Sequence, residues 1–242
     1  MKALLISACV AALFAVSACK THAALVISEV LFNEVGSDTV GEWIEIYNSG
    51  PAAIDLTDYK IGDEETSGGT GTGESVVRFP AGASIGPGAV QTVAVSAARF
   101  ETVYGFAPTY ELQGTNLAVG QMLAYAAWDP DGGLINMSNT NDQAILMNGS
   151  DAIVDAVNWG NTSFLNPGLA QPVDDGRSYE RNNPLVDTDT ANDWQLGPSN
   201  ATAALRSTPG VVPVPEPAAI ALAALAITTC GATVCGGRRN RD

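Results

Sequence analysis

The stretch GEWIEIYNSG, residues 41–50, decides the fold because its apolar residues recur at every second position. Ile44 and Ile46 point to one face. The opposite face carries Trp43, Glu45 and Tyr47. This period of two predicts a strand with one buried face, which a turn of Asn, Ser, Gly and Pro then closes.

Two similar stretches flank it. ALVISEVLFN, residues 24–33, is apolar and β-branched between polar turns, which is typical of a strand. AIDLTDYKIGD, residues 53–63, predicts another strand, and its change of period at Thr57-Asp58 indicates a bulge or a turn. Its expected core residues are Ile54, Leu56, Tyr59 and Ile61.

The rest of the body repeats this pattern of short strands and Gly, Pro or Asn turns. A short helix is predicted over residues 97–105, with Phe100, Val103 and Tyr104 on one side, and residues 106–138 are expected to be irregular. Further strands are predicted in SVVRFPAGASIGPGAVQTVAVS (75–96), DQAILMN (142–148), DAIVDAVNWG (151–160) and GRSYER (176–181). This pattern predicts an all-β sandwich.

The charge of the chain limits its partners. The formal net charge is −15, and the body between the two terminal segments has six basic and 24 acidic residues, a net charge of −18. Such a surface repels phosphate backbones, so we expect no nucleic-acid partner. The acidity favours solubility, with cation binding as the alternative.

Cysteine and histidine occur only near the ends of the chain, as Cys9, Cys19, His22, Cys230 and Cys235. The body therefore has no Cys–His nucleophile pair, no Ser-His-Asp triad and no ordinary zinc site. We expect no enzyme activity and no cofactor.

Residues 1–23 have the pattern of a secretory signal peptide: Lys2 precedes the apolar stretch from Leu4 to Val16, and small residues follow. The same region contains VSAC (16–19), which also fits a bacterial lipobox, in which Cys19 would carry lipid. We favour cleavage after Ala23 or Ala24, because the other end of the chain has its own membrane-attachment signal.

The chain ends in PEPAAIALAALAITTCGATVCGGRRNRD, residues 215–242. Residues 218–235 contain no charge and would span about 27 Å as a helix, enough for a thin bilayer core. The arginines that follow favour a cytoplasmic C-terminus. A buried core helix is the weaker alternative, because a proline-rich linker (207–214) precedes the segment and a basic cluster ends it.

This order of linker, Pro-Glu-Pro, apolar segment and arginines resembles the PEP-CTERM sorting signal of bacterial envelope proteins. The resemblance implies recognition by a membrane-embedded exosortase and removal of the tail. It assigns the sorting signal to Pro215, Glu216, Pro217, Arg238, Arg239 and Arg241.

The body resembles the lamin tail domain, an Ig-like module also found on secreted bacterial proteins. Its blocks are LVISEVLFN, EWIEIYNSG and IDLTDYKIGD; VRFPAGASIGPG; LINMSNTNDQAILMNGSDAIVDAVNWG, in which Asp155 precedes Trp159; and RSYER, DW (193–194) and TPG (208–210). Asn141 stands where the family usually has Gly before the Asp. The resemblance places the sandwich at 24–206, with an insertion around 97–138.

Three features of the body could form a binding or catalytic site. DPDGG (129–133) is similar to a calcium loop, but the twelfth position is Thr140 where an EF-hand requires Glu. Carboxylate pairs such as Glu42 with Glu45, or Asp151 with Asp155, could serve a glycoside hydrolase, although solvated strand faces commonly carry such pairs. A sugar-stacking surface could be formed by Trp43, Trp128, Trp159 and Trp194.

The sequence thus predicts a non-catalytic, exported envelope or extracellular-matrix module with an Ig-like β-sandwich. Its expected partners are an exosortase-type processing enzyme, the membrane through the C-terminal helix, and envelope polysaccharide or other surface proteins. The alternatives are a polysaccharide-binding surface protein, with or without calcium, and a carboxylate-based hydrolase.

Overall fold

The computed structural model describes residues 24–36, 40–64, 67–69, 74–130, 134–160, 168–169, 174–198 and 206–213. Its strands are β1 Leu25–Leu31, β2 Trp43–Asn48, β3 Ile54–Asp55, β4 Lys60–Gly62, β5 Val76–Arg78, β6 Ser84–Ile85, β7 Val90–Ala94, β8 Tyr110–Glu111, β9 Gly120–Gln121, β10 Leu123–Ala124, β11 Asp142–Met147, β12 Ile153–Trp159, β13 Gly168–Leu169, β14 Tyr179–Arg181 and β15 Trp194–Leu196. Helix α1 spans Ala97–Tyr104, and a short 3-10 helix spans Ala191–Asp193.

These strands form two facing sheets. The first sheet has the order β15-β14-β1-β2-β7-β8-β9, and the second has the order β10-β5-β4-β11-β12-β13. Neighbours are antiparallel except for β7 with β8, β8 with β9, and β12 with β13. Strands β3 and β6 form a separate pair. The predicted all-β, Ig-like sandwich is confirmed.

An apolar core fills the space between the sheets. Ile27 and Ile44 of the first sheet and Leu146 of the second belong to one buried cluster. Phe32 stacks on Trp159, with ring centroids 3.8 Å apart and planes 5° from parallel. The Trp159 Nε1 donates to the Ser138 carbonyl at 2.8 Å, so this ring is buried without losing its polar partner.

A buried ion pair joins the two sheets beside this core. Arg181 Nη2 on β14 lies 2.7 and 2.8 Å from the carboxylate oxygens of Asp155 on β12. Asp155 also accepts the Ile27 N–H at 2.7 Å, and Arg181 Nε donates to the Ile27 carbonyl at 2.7 Å. The β1–β2 register shifts between Ile27 and Glu29. The ion pair therefore satisfies the backbone of β1 at its bulge.

Helix α1 forms where the sequence predicts it. Ser96 Oγ accepts the Arg99 N–H at its start, and Gly105 ends it in the left-handed conformation, at φ 80°, where glycine costs least. Phe100 packs with Leu31, Trp43 and Ala94 on the outer face of the first sheet. The segment after the helix then adds β8 and β9 to the edge of the first sheet and β10 to the edge of the second.

The prediction of one buried face for β2 is wrong. All six of its residues are buried. Ile44 and Ile46 face the core between the sheets, whereas Trp43 is covered by α1. The predicted turn at Thr57-Asp58 is present between β3 and β4, where the Tyr59 N–H donates to the Leu56 carbonyl.

Candidate functional site

Three glutamates lie side by side on the outer face of the first sheet. Glu29 on β1 is directly opposite Glu45 on β2 and directly opposite Glu180 on β14. Like charges in directly opposed positions repel each other. We call Glu29, Glu45 and Glu180 the outer carboxylate cluster.

The cluster is shielded from water and, within the part of the chain that the structure describes, makes no ion pair. Glu29 is 1% exposed, Glu45 0% and Glu180 9%. No lysine or arginine of the described residues lies within salt-bridge distance of these carboxylates. Their neighbours are neutral: Ser28 Oγ donates to Glu45 at 2.8 Å, Ser178 Oγ to Glu29 at 2.5 Å, and Gln195 Nε2 to Glu180 at 2.7 Å.

The last described segment, residues 206–213, covers the cluster; we call it the strap. The Thr208 N–H donates to Glu29 Oε1 at 2.8 Å, and the Gly210 N–H donates to Glu45 Oε2 at 2.6 Å. Ser207 Oγ lies 2.7 Å from the Tyr104 hydroxyl of α1. Each of these strap contacts is made to the outer face of the first sheet or to the helix that covers it.

The Thr208 hydroxyl bridges two of the carboxylates. Its oxygen lies 3.1 Å from Glu29 Oε2 and 2.8 Å from Glu180 Oε2. A hydroxyl has a single proton, so it can donate to only one of the two carboxylate oxygens. Toward the other oxygen it presents only its own lone pairs, and two acceptors then face each other. Both short contacts are favourable together when one carboxyl group is itself protonated.

Burial raises the pKa values of the cluster. Desolvation raises the pKa of Glu29 to about 7, against hydrogen bonds from Ser178 and Thr208 that favour the carboxylate. Desolvation, followed by the negative charge of Glu29, raises the pKa of Glu45 to about 8. A proton is therefore held in this cluster near neutral pH.

A second acidic group lies at one end of the sandwich. Desolvation raises the pKa of Glu42 to about 9 and that of Asp63 well above its ordinary value. Glu42 accepts the Met137 N–H at 2.8 Å and Asp63 accepts the Asn136 N–H at 2.9 Å, so these carboxylates hold the irregular segment before β11. Within the described residues, no group of three or more acidic, His or Cys side chains could hold a metal ion.

The structure separates the carboxylates that were paired as candidate catalysts. Glu45 lies under the strap, whereas Glu42 binds the segment before β11. Asp155 pairs with Arg181, and Asp151 binds Lys60 and Tyr125 instead. The expectation of solvated strand faces is wrong for Glu42, Glu45 and Asp155, because all three are buried.

The sugar-stacking surface is also ruled out. All four tryptophans are buried, with none more than 9% exposed, so none offers a ring face to a ligand. In the stretch similar to a calcium loop, Asp129 is buried and accepts a hydrogen bond from Ser75 Oγ at 2.7 Å. Residues 131–133 of that loop lie outside the described residues.

The predicted terminal signals also lie outside the described residues. These are the signal peptide (1–23), the end of the linker after Pro213, and the sorting-signal residues Pro215, Glu216, Pro217, Arg238, Arg239 and Arg241. Within the part of the chain that the structure describes, no helix is long and apolar enough to cross a bilayer.

The outer carboxylate cluster was missed in the sequence, although a signal for it is present. Glu29 and Glu45 each interrupt an otherwise apolar strand, LVISEVL and WIEIYN. A charged residue in a strand that is buried on both faces requires a buried partner. The sequence does not reveal that this partner is a segment more than 160 residues further along the chain.

The fold and its polar contacts define an Ig-like β-sandwich whose buried charges hold its own segments together. The lamin tail domain matches residues 19–161, and the chain belongs to this family. The matched region contains Asp155 and Trp159, and strands β14 and β15 continue the first sheet beyond it.

Solved structures with a similar fold include that of a DUF4876 family protein from Bacteroides thetaiotaomicron. It has a TM-score of 0.52 and 13% sequence identity, and the match covers 81% of this chain and 73% of that one. This similarity concerns the fold alone. A comparison with curated proteins gives no match.

Proposed function

We propose that this protein is an exported, non-catalytic interaction or structural module of the cell envelope or extracellular matrix. The N-terminal signal peptide directs export. The apolar segment 218–235 anchors the protein in the membrane, and an exosortase-type enzyme reads Pro215, Glu216 and Pro217 and removes the tail. After release, the sandwich contacts envelope polysaccharide or other surface proteins.

One observation supports the proposal. The buried carboxylates bind segments of the fold itself, and the last of these segments, the strap, lies immediately before residues 215–217. The strap is bound to the sandwich through Thr208 and Gly210, and only Val214 separates the described strap from Pro215. The lamin tail domain, a non-catalytic type of module, supports the same assignment.

The test is the mass of the mature protein in a bacterium that contains an exosortase. We expect the wild-type protein to lose a C-terminal fragment that begins near Pro215. A variant with Pro215, Glu216 and Pro217 changed to alanine should keep the fragment and stay in the membrane fraction. Pro213→Ala is the matched control, because it removes a neighbouring proline outside the motif. Retention of residues 215–242 by the wild-type protein would refute the sorting proposal.

A further inference from the structure

The hydrogen bonds that hold the strap depend on the protonation state of the carboxyl groups beneath it. Its polar contacts to the first sheet reach Glu29 and Glu45 through the N–H groups of Thr208 and Gly210, and Glu29 and Glu180 through the Thr208 hydroxyl. These carboxylates face each other across adjacent strands. Their mutual repulsion grows as they ionise.

Among the described neighbours of the cluster, no ion pair offsets this ionisation. The titratable group facing the cluster from α1 is the Tyr104 hydroxyl, which is neutral at physiological pH because its pKa is raised by burial. Arg99 of the same helix donates its Nη2 to the Val35 carbonyl at 2.6 Å instead. Neutral donors come from Ser28 on β1, Ser178 just before β14 and Gln195 on β15.

We propose that the strap is a proton-dependent latch, closed while Glu29 or Glu45 holds a proton and released when both are ionised. With one proton, a carboxyl O–H of Glu29 donates to Thr208 Oγ1, and the Thr208 hydroxyl donates to Glu180. Without it, Thr208 can satisfy only one of the two oxygens, and three adjacent negative charges remain beneath the strap.

Release of the strap would let the residues that follow it extend further from the sandwich. Eight residues, 206–213, add roughly 26 Å of extended chain when they leave the sheet. This consequence rests on the proposed function: a longer tether lets an enzyme in the membrane engage Pro215, Glu216 and Pro217 at a distance from the acidic body. The latch itself is independent of that function and is tested without any processing enzyme.

The test is hydrogen–deuterium exchange of the full chain at pH 6 and pH 9, corrected for the intrinsic exchange rate at each pH. We expect the protection of the Thr208 and Gly210 amides to fall at least about tenfold between the two values, because a tenfold change follows from one unit of pKa difference. Amides of β2 and β11, which exchange through global unfolding, should remain far better protected than the strap at both values. Equal strap protection at both values, or strap protection that equals that of β2 and β11 at pH 9, would overturn the latch.

Two variants identify the proton as the cause. Glu180→Gln supplies an amide N–H to Thr208 Oγ1 at every pH, so its strap should be at least about fivefold better protected than wild type at pH 9 and equal to it at pH 6. Thr208→Val removes the bridge and should lower protection at both values. Asp58→Asn, which neutralises an exposed acid elsewhere, should match wild type. A Glu180→Gln strap that opens as the wild-type strap does would also refute the proposal.

Discussion

Two groups of buried carboxylates in this sandwich differ in their partners, because among the described residues an arginine pairs with one group and not with the other. Between the sheets, Asp155 is held by Arg181, which also lies 3.1 Å from Asp187 and stacks over Trp194. On the outer face, Glu29, Glu45 and Glu180 have only hydroxyl, amide and backbone partners.

The two regions stabilise their buried carboxyl groups in different ways. Desolvation raises the pKa of Asp155 to about 6 although Arg181 lowers it, so Asp155 is an anion paired with Arg181 at neutral and alkaline pH. The outer cluster must hold a proton instead, so the contacts of the strap depend on pH. As the pH rises, buried carboxylates thus strengthen the contact between the sheets and weaken the contacts of the strap.

The largest loss of stability from a single substitution is expected at the ion pair between the sheets. Arg181→Met removes the cation and leaves Asp155 buried without a charge partner, which should lower the free energy of unfolding by about 3–5 kcal/mol. Urea denaturation at pH 7 measures this loss. Arg177→Met is the matched control, because Arg177 makes a more exposed ion pair, at 3.5 Å from Asp174. Equal losses in the two variants would show that the burial of the pair does not matter.

The second effect is a dependence of stability on pH from the outer cluster. The folded-state pKa values of Glu29 and Glu45, about 7 and 8, lie above the ordinary value of 4.5, so the folded state binds protons more tightly than the unfolded state. Stability is therefore fully present below pH 4.5 for these groups and is lost as pH rises to about 8. For two independent groups at these pKa values, we expect a decrease of up to about 6 kcal/mol between pH 5 and pH 9.

Glu45→Gln sharpens this prediction. The amide oxygen can still accept the Gly210 N–H but cannot ionise, so the variant should be within about 1 kcal/mol of wild type at pH 5 and exceed it by about 4 kcal/mol at pH 8.5. Urea denaturation at both pH values gives the comparison. An identical pH profile in the variant and the wild type would mean that Glu45 is already charged under the strap.

The smallest effect is expected at a half-exposed ion pair. Lys60 Nζ lies 2.5 Å from Asp151, but Asp151 is 34% exposed and Lys60 also donates to the Asn148 carbonyl at 3.1 Å. Asp151→Asn should therefore cost at most about 1 kcal/mol in urea denaturation. A loss as large as that of Arg181→Met would remove the distinction between buried and exposed pairs.

The strands could be predicted from local pattern, because alternation of apolar residues reports the face that each strand buries. The partners of the outward-facing residues could not. Trp43 and Glu45 are covered by α1 and the strap, which are distant in sequence and have little apolar periodicity of their own. The Asp155 and Arg181 blocks resembled the family, yet their role depends on the Ile27 backbone, 128 residues before Asp155.

The position of β1 also governs the order in which the fold can be completed. This first strand lies between β2 and β14, and its Ile27 carbonyl is bound by an arginine 154 residues further along the chain. One edge of β1 therefore stays unpaired until nearly the whole sandwich has been synthesised. Contacts of such long sequence separation slow folding, and we expect closure of the first sheet in milliseconds to seconds rather than microseconds.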